Sequence, residues 1–149
     1  MRSPARATSG RARHDGPMSK RDELVVARFR EGREIPGMHR DRLVLLTTTG
    51  RVSGERRTTP MMVHHVEGTV MVVASANASP TDPGWYRNLV ADPHVHVEVD
   101  GDEFDALARP LRGDERAAAW AAILEHAPFF TDHQAQVDRE IPVVALERV

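Results

Sequence analysis

The sequence predicts an α+β fold in which a small β-barrel carries helices on its outside, and two observations favour this prediction. First, apolar segments come as hairpins: in residues 94–111, three valines alternate with polar residues before the turn signal Asp100-Gly101. Second, the helical segments do not alternate one for one with strands, which argues against a parallel Rossmann-type sheet. We therefore expect about six mostly antiparallel strands with flanking helices.

The length and composition favour one folded domain over residues 19–149. A chain of 149 residues has room for a single ordinary core. Residues 1–18 hold four arginines and one aspartate, and no large aliphatic side chain precedes Met18. Such a segment cannot bury enough apolar area to order itself. We therefore predict a disordered arginine-rich extension over residues 1–18, with Met18 as an alternative translation start.

Composition also narrows the classes of function. The absence of cysteine excludes disulfides, thiolate metal sites and cysteine nucleophiles. The formal net charge is -2 and the chain after Met18 is mildly acidic, so we expect no nucleic-acid partner. No apolar run is long enough for a leader segment or a membrane span, which makes the cytoplasm the expected compartment.

The first half of the chain contains one helix, one buried strand and one hairpin. Residues 19–32 place apolar side chains one turn apart, which predicts a short amphipathic helix. Residues 42–48 have apolar side chains on both faces, as a fully buried strand does. Residues 58–75 predict a hairpin that turns at Glu67-Gly68.

The second half contains two helices and a closing strand around the valine-rich hairpin. Within residues 77–93 we predict a short helix, with Asp82 as its cap and Pro83 in its first position. Residues 113–127 are rich in alanine and predict a stronger helix. Residues 141–149 predict the last strand.

Residues 45–62, LLTTTGRVSGERRTTPMM, contain more cations and hydroxyls than a turn requires. The two glycines are too close together for a P-loop, and no lysine follows the second one. Glycines let a backbone approach an anion, and Arg51, Arg56 and Arg57 carry donors that fit phosphate or carboxylate. The composition by itself is equally compatible with an exposed connection whose arginines are solvated.

Two pairs of histidines have the spacing of weak metal-site candidates. His94 and His96 lie two apart on a strand and face the same side, but no third ligand is evident nearby. His64 and His65 are adjacent and face opposite sides of their strand. We therefore predict no metal site. The sequence also has no G-x-S-x-G elbow, so serine hydrolase chemistry is not favoured.

Four segments, read in order, resemble the deazaflavin-dependent nitroreductase family of actinobacteria: LLTTTGRVSGERRTTPMM, VVAS, DPGWYRNLVADPHVHVEV and DREIPVVALER. The resemblance covers about residues 24–149 and keeps the order and spacing of the motifs. It implies a split β-barrel, the fold of flavin-binding oxidases, and reduced coenzyme F420 as hydride donor. Hydride transfer is the cofactor's own chemistry, so such a protein needs an anion-binding loop and an apolar slot, and no catalytic triad.

The resemblance also implies which residues hold the coenzyme. The residues of the phosphate-binding loop are Thr49, Gly50, Arg51, Ser53, Gly54 and Arg57. Further residues surround the ring and the ribityl chain of the coenzyme. They are Thr58, Thr59, Pro60 and Met61 on one side, Val73, Ala74, Ser75 and Ala76 on the opposite side, and Trp85 as one wall of the pocket.

Several positions depart from the family's pattern. Val52, Ala76 and Thr81 stand where family members commonly carry lysine, so contacts to the phosphate region are lost. Phe130 and His133 replace tyrosines that are thought to close over the ring and assist proton transfer, and we take them as the candidate catalytic positions. Because imidazole exchanges protons near neutral pH, His133 is the candidate proton donor.

We therefore predict an F420H2-dependent oxidoreductase that passes hydride to a hydrophobic, electron-poor acceptor: a quinone, a nitroaromatic or an enone. The alternative is a non-catalytic split barrel that binds lipid, haem or FMN, which the missing lysines and tyrosines favour. Split barrels often share sheet faces, so a homodimer is expected by analogy. The first helix carries Arg21, Arg28 and Arg30, and a peripheral membrane contact through this helix is a further expectation.

Overall fold

The computed structural model describes residues 18–149, and in this part of the chain seven strands form one sheet. The strands are β1 (Leu43–Thr49), β2 (Arg56–Met62), β3 (His64–Val66), β4 (Thr69–Val73), β5 (His94–Val99), β6 (Asp102–Pro110) and β7 (Val143–Arg148). Their order across the sheet is β2-β1-β5-β6-β7-β4-β3, and each neighbouring pair is antiparallel. The sheet curls until β2 contacts β4, which produces the split barrel that was predicted.

Four α-helices and two short 3-10 turns complete the described part of the chain. The helices are α1 (Lys20–Arg30), α2 (Gly84–Ala91), α3 (Gly113–Leu124) and α4 (Phe129–Ala135), and the 3-10 turns are Arg40–Arg42 and Ala76–Ala78. The start of α1 is set by Ser19, whose hydroxyl accepts a hydrogen bond from the Asp22 amide at 3.1 Å. The predicted first helix, the α+β class and the mostly antiparallel sheet are confirmed.

The main apolar core fills the inside of the curled sheet. It combines side chains from β1, β4, β5, β6 and β7 with Leu89 of α2, which is 1% exposed. This arrangement places α2 against the end of β1, because Leu89 can be buried only if the helix lies against the sheet interior. The position of α2 matters for the candidate site described below.

Two smaller clusters cover the outside of the sheet. Helix α1 packs Val25, Val26 and Phe29 against Leu43 and Leu45 of β1. Helices α3 and α4 cover the outer face of β4 and β7 in the same way. Strand β1 is therefore buried on both faces, as its uninterrupted apolar sequence predicted.

Both predicted turns are confirmed, but the segment 58–75 is not a single hairpin. Val66 pairs with Thr69 across the Glu67-Gly68 turn, as expected. Before that turn the strand is interrupted at Val63, whose amide donates to the Arg42 carbonyl at 2.9 Å. The upstream part is β2, which pairs with β1 at the edge of the sheet. An edge strand tolerates the missing amide of a proline, and β2 contains one.

The alanine-rich helix predicted over 113–127 is confirmed but ends at Leu124, and α4 follows as a separate helix that the sequence pattern did not predict. One expectation about the helices is wrong. Asp82 does not cap α2, because no side chain caps its first turn and Pro83 occupies the cap position. The Asp82 carboxylate instead accepts a hydrogen bond from Arg139 at 2.7 Å.

The predicted extension, residues 1–18, lies outside the described residues except for Met18, which packs against the α1 cluster. No helix between residues 18 and 149 is long and apolar enough to cross a membrane. Two of the three α1 arginines make contacts within the protein. Arg30 pairs with Glu98 at 2.7 Å, and Arg28 donates to the Glu34 carbonyl at 3.3 Å. A peripheral membrane contact through α1 stays a prediction.

His64 is a buried histidine at the start of β3. Its side chain is 1% exposed, and its Nδ1 lies 3.2 Å from Nε2 of His126. The ring of Phe130 packs edge-on against it, with 5.6 Å between the ring centroids. Burial, followed by repulsion from His126 and His65, lowers the pKa of His64 from its usual 6.5 to about 4. The folded protein therefore holds His64 neutral well below neutral pH.

We expect the free energy of unfolding to decrease as the pH falls from 6.5 towards 4. In this range the unfolded chain binds a proton at His64 that the folded chain does not bind, so protonation favours unfolding. The loss from this one group is about 2 kcal/mol at about pH 5. Urea denaturation of the wild type and of His64→Gln, at this pH and at neutrality, measures the contribution.

His39→Gln is the matched control, because His39 is exposed and is not among the groups that lower the pKa of His64. The control should keep the wild-type pH dependence, whereas His64→Gln should have a smaller one. Equal pH dependence in all three proteins contradicts the assignment.

Candidate functional site

The loop between β1 and β2 is a tight structure built on two glycines. The Gly50 amide donates to the Glu55 carbonyl at 2.7 Å, and the Gly54 amide donates to the Gly50 carbonyl at 2.8 Å. A Cβ atom at Gly50 would lie only 2.7 Å from the Ser53 hydroxyl, and Gly54 has a φ of +77°. Any larger side chain at these two positions would strain the loop, so the glycines allow the compact backbone.

Asn88 of α2 fastens this loop to the core. Its side-chain oxygen accepts hydrogen bonds from the Arg51 amide at 3.1 Å and from the Arg51 guanidinium at 3.0 Å. Its side-chain nitrogen donates to the Thr48 hydroxyl at 3.2 Å. Asn88 is 4% exposed and Thr48 is fully buried. The loop, β1 and α2 are thus joined by one buried amide whose oxygen and nitrogen both have partners.

The three arginines of the loop have different surroundings. Arg51 binds Asn88, and Arg56 donates to the Thr49 hydroxyl at 2.7 Å. Arg57 makes only a long contact of 3.6 Å to Glu55, and its Nε is buried without a hydrogen-bond partner among residues 18–149. A buried donor without a partner is costly, so Arg57 is the loop cation best suited to receive an anion.

The candidate lining residues of β2 divide between the two faces of the sheet. Arg57, Thr59 and Met61 lie opposite inward-facing residues of β1 and point into the curled sheet. Thr58 and Pro60 lie on the opposite face, which α1 covers, and the Thr58 hydroxyl bonds a β1 threonine hydroxyl at 2.8 Å. The structure therefore gathers part of the predicted set near α2.

The second half of the candidate site follows β4. The Ser75 hydroxyl lies 2.6 Å from Nδ1 of His133, and Ser75 is 4% exposed. The next three residues, Ala76–Ala78, all have positive φ angles, of 50°, 55° and 63°. Left-handed backbone costs a non-glycine residue about 1–3 kcal/mol, so the surrounding structure must hold this turn.

Arg139 contacts the same stretch of chain from the other side. Its guanidinium donates to the carbonyl groups of Ala74, Ser75 and Ser79 and to the carboxylate of Asp82, at distances from 2.7 to 3.1 Å. Arg139 is largely buried, with 14% of its side chain exposed. The stretch it holds leads directly into α2.

The remaining predicted residues lie at different depths. Phe130 is 5% exposed and belongs to the outer core cluster, where its ring packs edge-on against His133. Val73 packs at the edge of the same cluster, and Ala74 is fully buried. Trp85 is half-buried against the main core, one turn before Asn88.

The histidines of β5 bind carboxylates. His94 contacts Asp92 at 3.0 Å, and His96 lies 2.8 Å from both Asp105 and Glu103. The pKa of His96 is raised, first by the hydrogen bond to Asp105. Within the described part of the chain, no group of three or more His, Cys, Asp or Glu side chains is arranged to hold a metal ion.

Asn88 and Arg139 are the organising residues that sequence reasoning missed. Asn88 is the polar residue among the three buried residues of α2, the others being Gly84 and Leu89, and a polar residue beside Leu89 was a usable signal. Arg139 had no comparable signal, because its partners lie 57 to 65 residues away and three of them are backbone carbonyls.

Known proteins share this chain's sequence and fold. An F420H(2)-dependent quinone reductase of Mycobacterium tuberculosis is 35% identical over 122 residues, or 80% of each chain. A solved F420-H2 dependent reductase is 38% identical with a TM-score of 0.65, covering 74% of this chain and 100% of that chain. A solved chain described as a domain-swapped dimer is 32% identical with a TM-score of 0.68, covering 97% of this chain and 100% of that chain.

The family described as F420H(2)-dependent quinone reductase matches residues 19–148. The match spans nearly all of the described residues and includes both halves of the candidate site. The resemblance to deazaflavin-dependent enzymes that the sequence motifs predicted is therefore confirmed. The chain belongs to the F420H(2)-dependent quinone reductase family.

Proposed function

We propose that this protein is an oxidoreductase that uses reduced coenzyme F420 to reduce a quinone. Family membership supports the cofactor and the class of acceptor. The observation in the structure that carries the proposal is the buried Nε of Arg57, which has no partner among residues 18–149 and lies beside a glycine-built loop. This is the donor set expected for an anionic group such as a phosphate.

The residues present fit such a cofactor in two respects. Arg57 supplies an unused charged donor, whereas Arg51 and Arg56 are engaged in holding the loop. Thr59 and Met61 point from β2 into the curled sheet and offer a hydroxyl and an apolar surface. We therefore assign Arg57 to the anionic part of the coenzyme and the inner face of β2 to its less polar part.

When bound, the reduced deazaflavin supplies a hydride, and a quinone needs one further proton to become the quinol. The hydrogen-bonded Ser75 and His133 can deliver that proton, because the imidazole is only half-buried and its Nδ1 lies 2.6 Å from the serine hydroxyl. Phe130 packs against His133 and orients its ring. In this proposal Phe130 therefore positions His133 and does not itself take part in the chemistry.

We also infer that the protein forms a homodimer. The inference is supported by the solved chain described as a domain-swapped dimer, which is 32% identical to this one and matches 97% of it. A split barrel leaves sheet edges that a second copy can pair with or cover.

Titration of the protein with reduced F420 should give saturable binding, and addition of a quinone such as menadione should cause acceptor-dependent oxidation of the coenzyme. FMN in a parallel titration should bind more weakly, because the proposal assigns the site to the deazaflavin. Absence of F420 binding at tens of micromolar would refute the proposed function. Tight FMN binding, or a haem band in the untreated protein, would support the non-catalytic alternative.

Arg57→Ala should weaken the binding of F420 by about 1–3 kcal/mol, measured as the dissociation constant by fluorescence titration. The reason is the loss of the unused charged donor beside the loop. Arg33→Ala is the control, because Arg33 is an exposed arginine that follows α1 and pairs with Glu31 at 3.2 Å. An unchanged dissociation constant for Arg57→Ala would reject this residue as the anion anchor.

His133→Phe should lower the quinone-dependent turnover about 10–100-fold, while the dissociation constant of F420 changes little. The substitution removes the proton donor and keeps a planar ring next to Phe130. His94→Phe is the matched control, because His94 is an exposed histidine on β5. Equal turnover of His133→Phe and wild type would show that the proton comes from elsewhere.

A further inference from the structure

We propose that Arg139 is a positioning residue of this enzyme: it holds residues 74–82 in a strained conformation and thereby places the Ser75 hydroxyl on His133. Residues 74–82 are called the 74–82 segment below. The inference rests on the proposed function for its catalytic consequence and on the described contacts for the positioning itself.

The contacts of Arg139 are unusually concentrated on one segment. All three guanidinium nitrogens donate into it: Nε to the Ser79 carbonyl at 3.0 Å, Nη1 to the Ala74 carbonyl at 3.1 Å, and Nη2 to the Ser75 carbonyl at 2.9 Å. Nη1 also pairs with the Asp82 carboxylate at 2.7 Å. A planar guanidinium can span a bent backbone in this way, whereas an ammonium group cannot.

The 74–82 segment needs such support. Three successive non-glycine residues, Ala76–Ala78, have positive φ angles, a conformation that a free chain rarely adopts. Support from within the segment consists of short-range hydrogen bonds. The Ala78 amide donates to the Ser75 carbonyl at 3.0 Å and to the Ser75 hydroxyl at 3.3 Å, and the Ser79 amide donates to the Ala76 carbonyl at 3.1 Å. The Thr81 amide donates to the Ser79 hydroxyl at 3.3 Å. Arg139 joins the beginning and the end of this turn, so it sets the curvature between them.

The curvature decides where the Ser75 hydroxyl points. Arg139 binds the Ser75 carbonyl, and His133 binds the hydroxyl of the same residue at 2.6 Å. Arg139 and His133 are themselves linked through Gln134, which donates to the Arg139 carbonyl at 2.8 Å. Loss of the guanidinium would release the serine backbone while leaving both members of the Ser75–His133 pair in the sequence.

Arg116 is a second largely buried arginine close to Arg139, but it makes no hydrogen bond or ion pair with the 74–82 segment. It lines, together with Arg139, a groove of about 320 Å³, and 11% of its side chain is exposed. Its partners are the Ile141 carbonyl at 2.6 Å and Glu140 at 3.5 Å, both outside the 74–82 segment. Arg116→Gln is therefore the matched control for Arg139→Gln.

Amide hydrogen exchange on the protein without cofactor tests the positioning. In Arg139→Gln, peptides covering the 74–82 segment should exchange about 10-fold faster than in the wild type, and in Arg116→Gln they should not. Asp82→Ala, which removes one of the four contacts, should give a smaller change in the same direction and keeps the test valid if Arg139→Gln does not fold. Unchanged exchange in the Arg139 and Asp82 variants overturns the inference.

A double-mutant cycle with Ser75→Ala tests the catalytic consequence. Arg139→Gln should lower quinone-dependent turnover about 10-fold in the wild-type background and should cause little further loss in the Ser75→Ala background. Arg139→Lys should recover part of the rate, and Arg116→Gln should leave it unchanged. Additive losses, or an equal loss in Arg116→Gln, overturn the inference. If the wild type does not oxidise reduced F420 at all, the proposed function fails, while hydrogen exchange still decides whether Arg139 holds the segment.

Discussion

The buried amide of Asn88 is the interaction on which the arrangement of the candidate site depends. Helix α2 buries both Leu89 and Asn88, and a buried amide needs partners for its oxygen and nitrogen. Arg51 and Thr48 supply them. The burial of this amide therefore sets the position of an exposed, arginine-rich loop.

Helix α2 also connects the two halves of the site. Its first turn follows the 74–82 segment, which carries Ser75, and its second turn holds the loop through Asn88 and Arg51. A shift of the helix would therefore displace the arginine-rich loop and the segment that carries Ser75. In a hydride-transfer enzyme the cofactor carries out the redox step, so the protein needs no acid–base pair for that step. The fold must instead orient the cofactor relative to a source of protons.

The contacts in the structure explain two of the positions at which the sequence departs from the family pattern. Val52 is 89% exposed at the tip of the loop, so the lysine it replaces would stand in solvent and contribute little to binding. His133 is bound to the hydroxyl of Ser75, which makes the tyrosine replacement part of a hydrogen-bonded pair. In the proposed function, anion binding therefore depends mainly on Arg57, and proton delivery depends on the pair formed by Ser75 and His133.

Local pattern was sufficient for much of the fold. The sequence predicted features that depend on residues close together in the chain. These are the uninterrupted apolar run of β1, the alternating valines of β5 and the turns at Glu67-Gly68 and Asp100-Gly101. The order of its motifs was likewise enough to identify the family. Helix α4 escaped prediction because only seven residues form it and tertiary packing of Phe130 stabilises it.

The site itself was decided by contacts between distant residues. Asp82 had the sequence context of a helix cap, yet it pairs with Arg139, 57 residues later. The three loop arginines were equivalent in the sequence, and only the folded structure distinguished them. Arg51 binds Asn88 of α2 and Arg56 binds Thr49 of β1, whereas the buried Nε of Arg57 has no hydrogen-bond partner among residues 18–149. By itself the sequence determined most of the strands, the turns and the family. The tertiary structure decided which polar groups find partners, because that choice depends on which buried groups the folded core brings together.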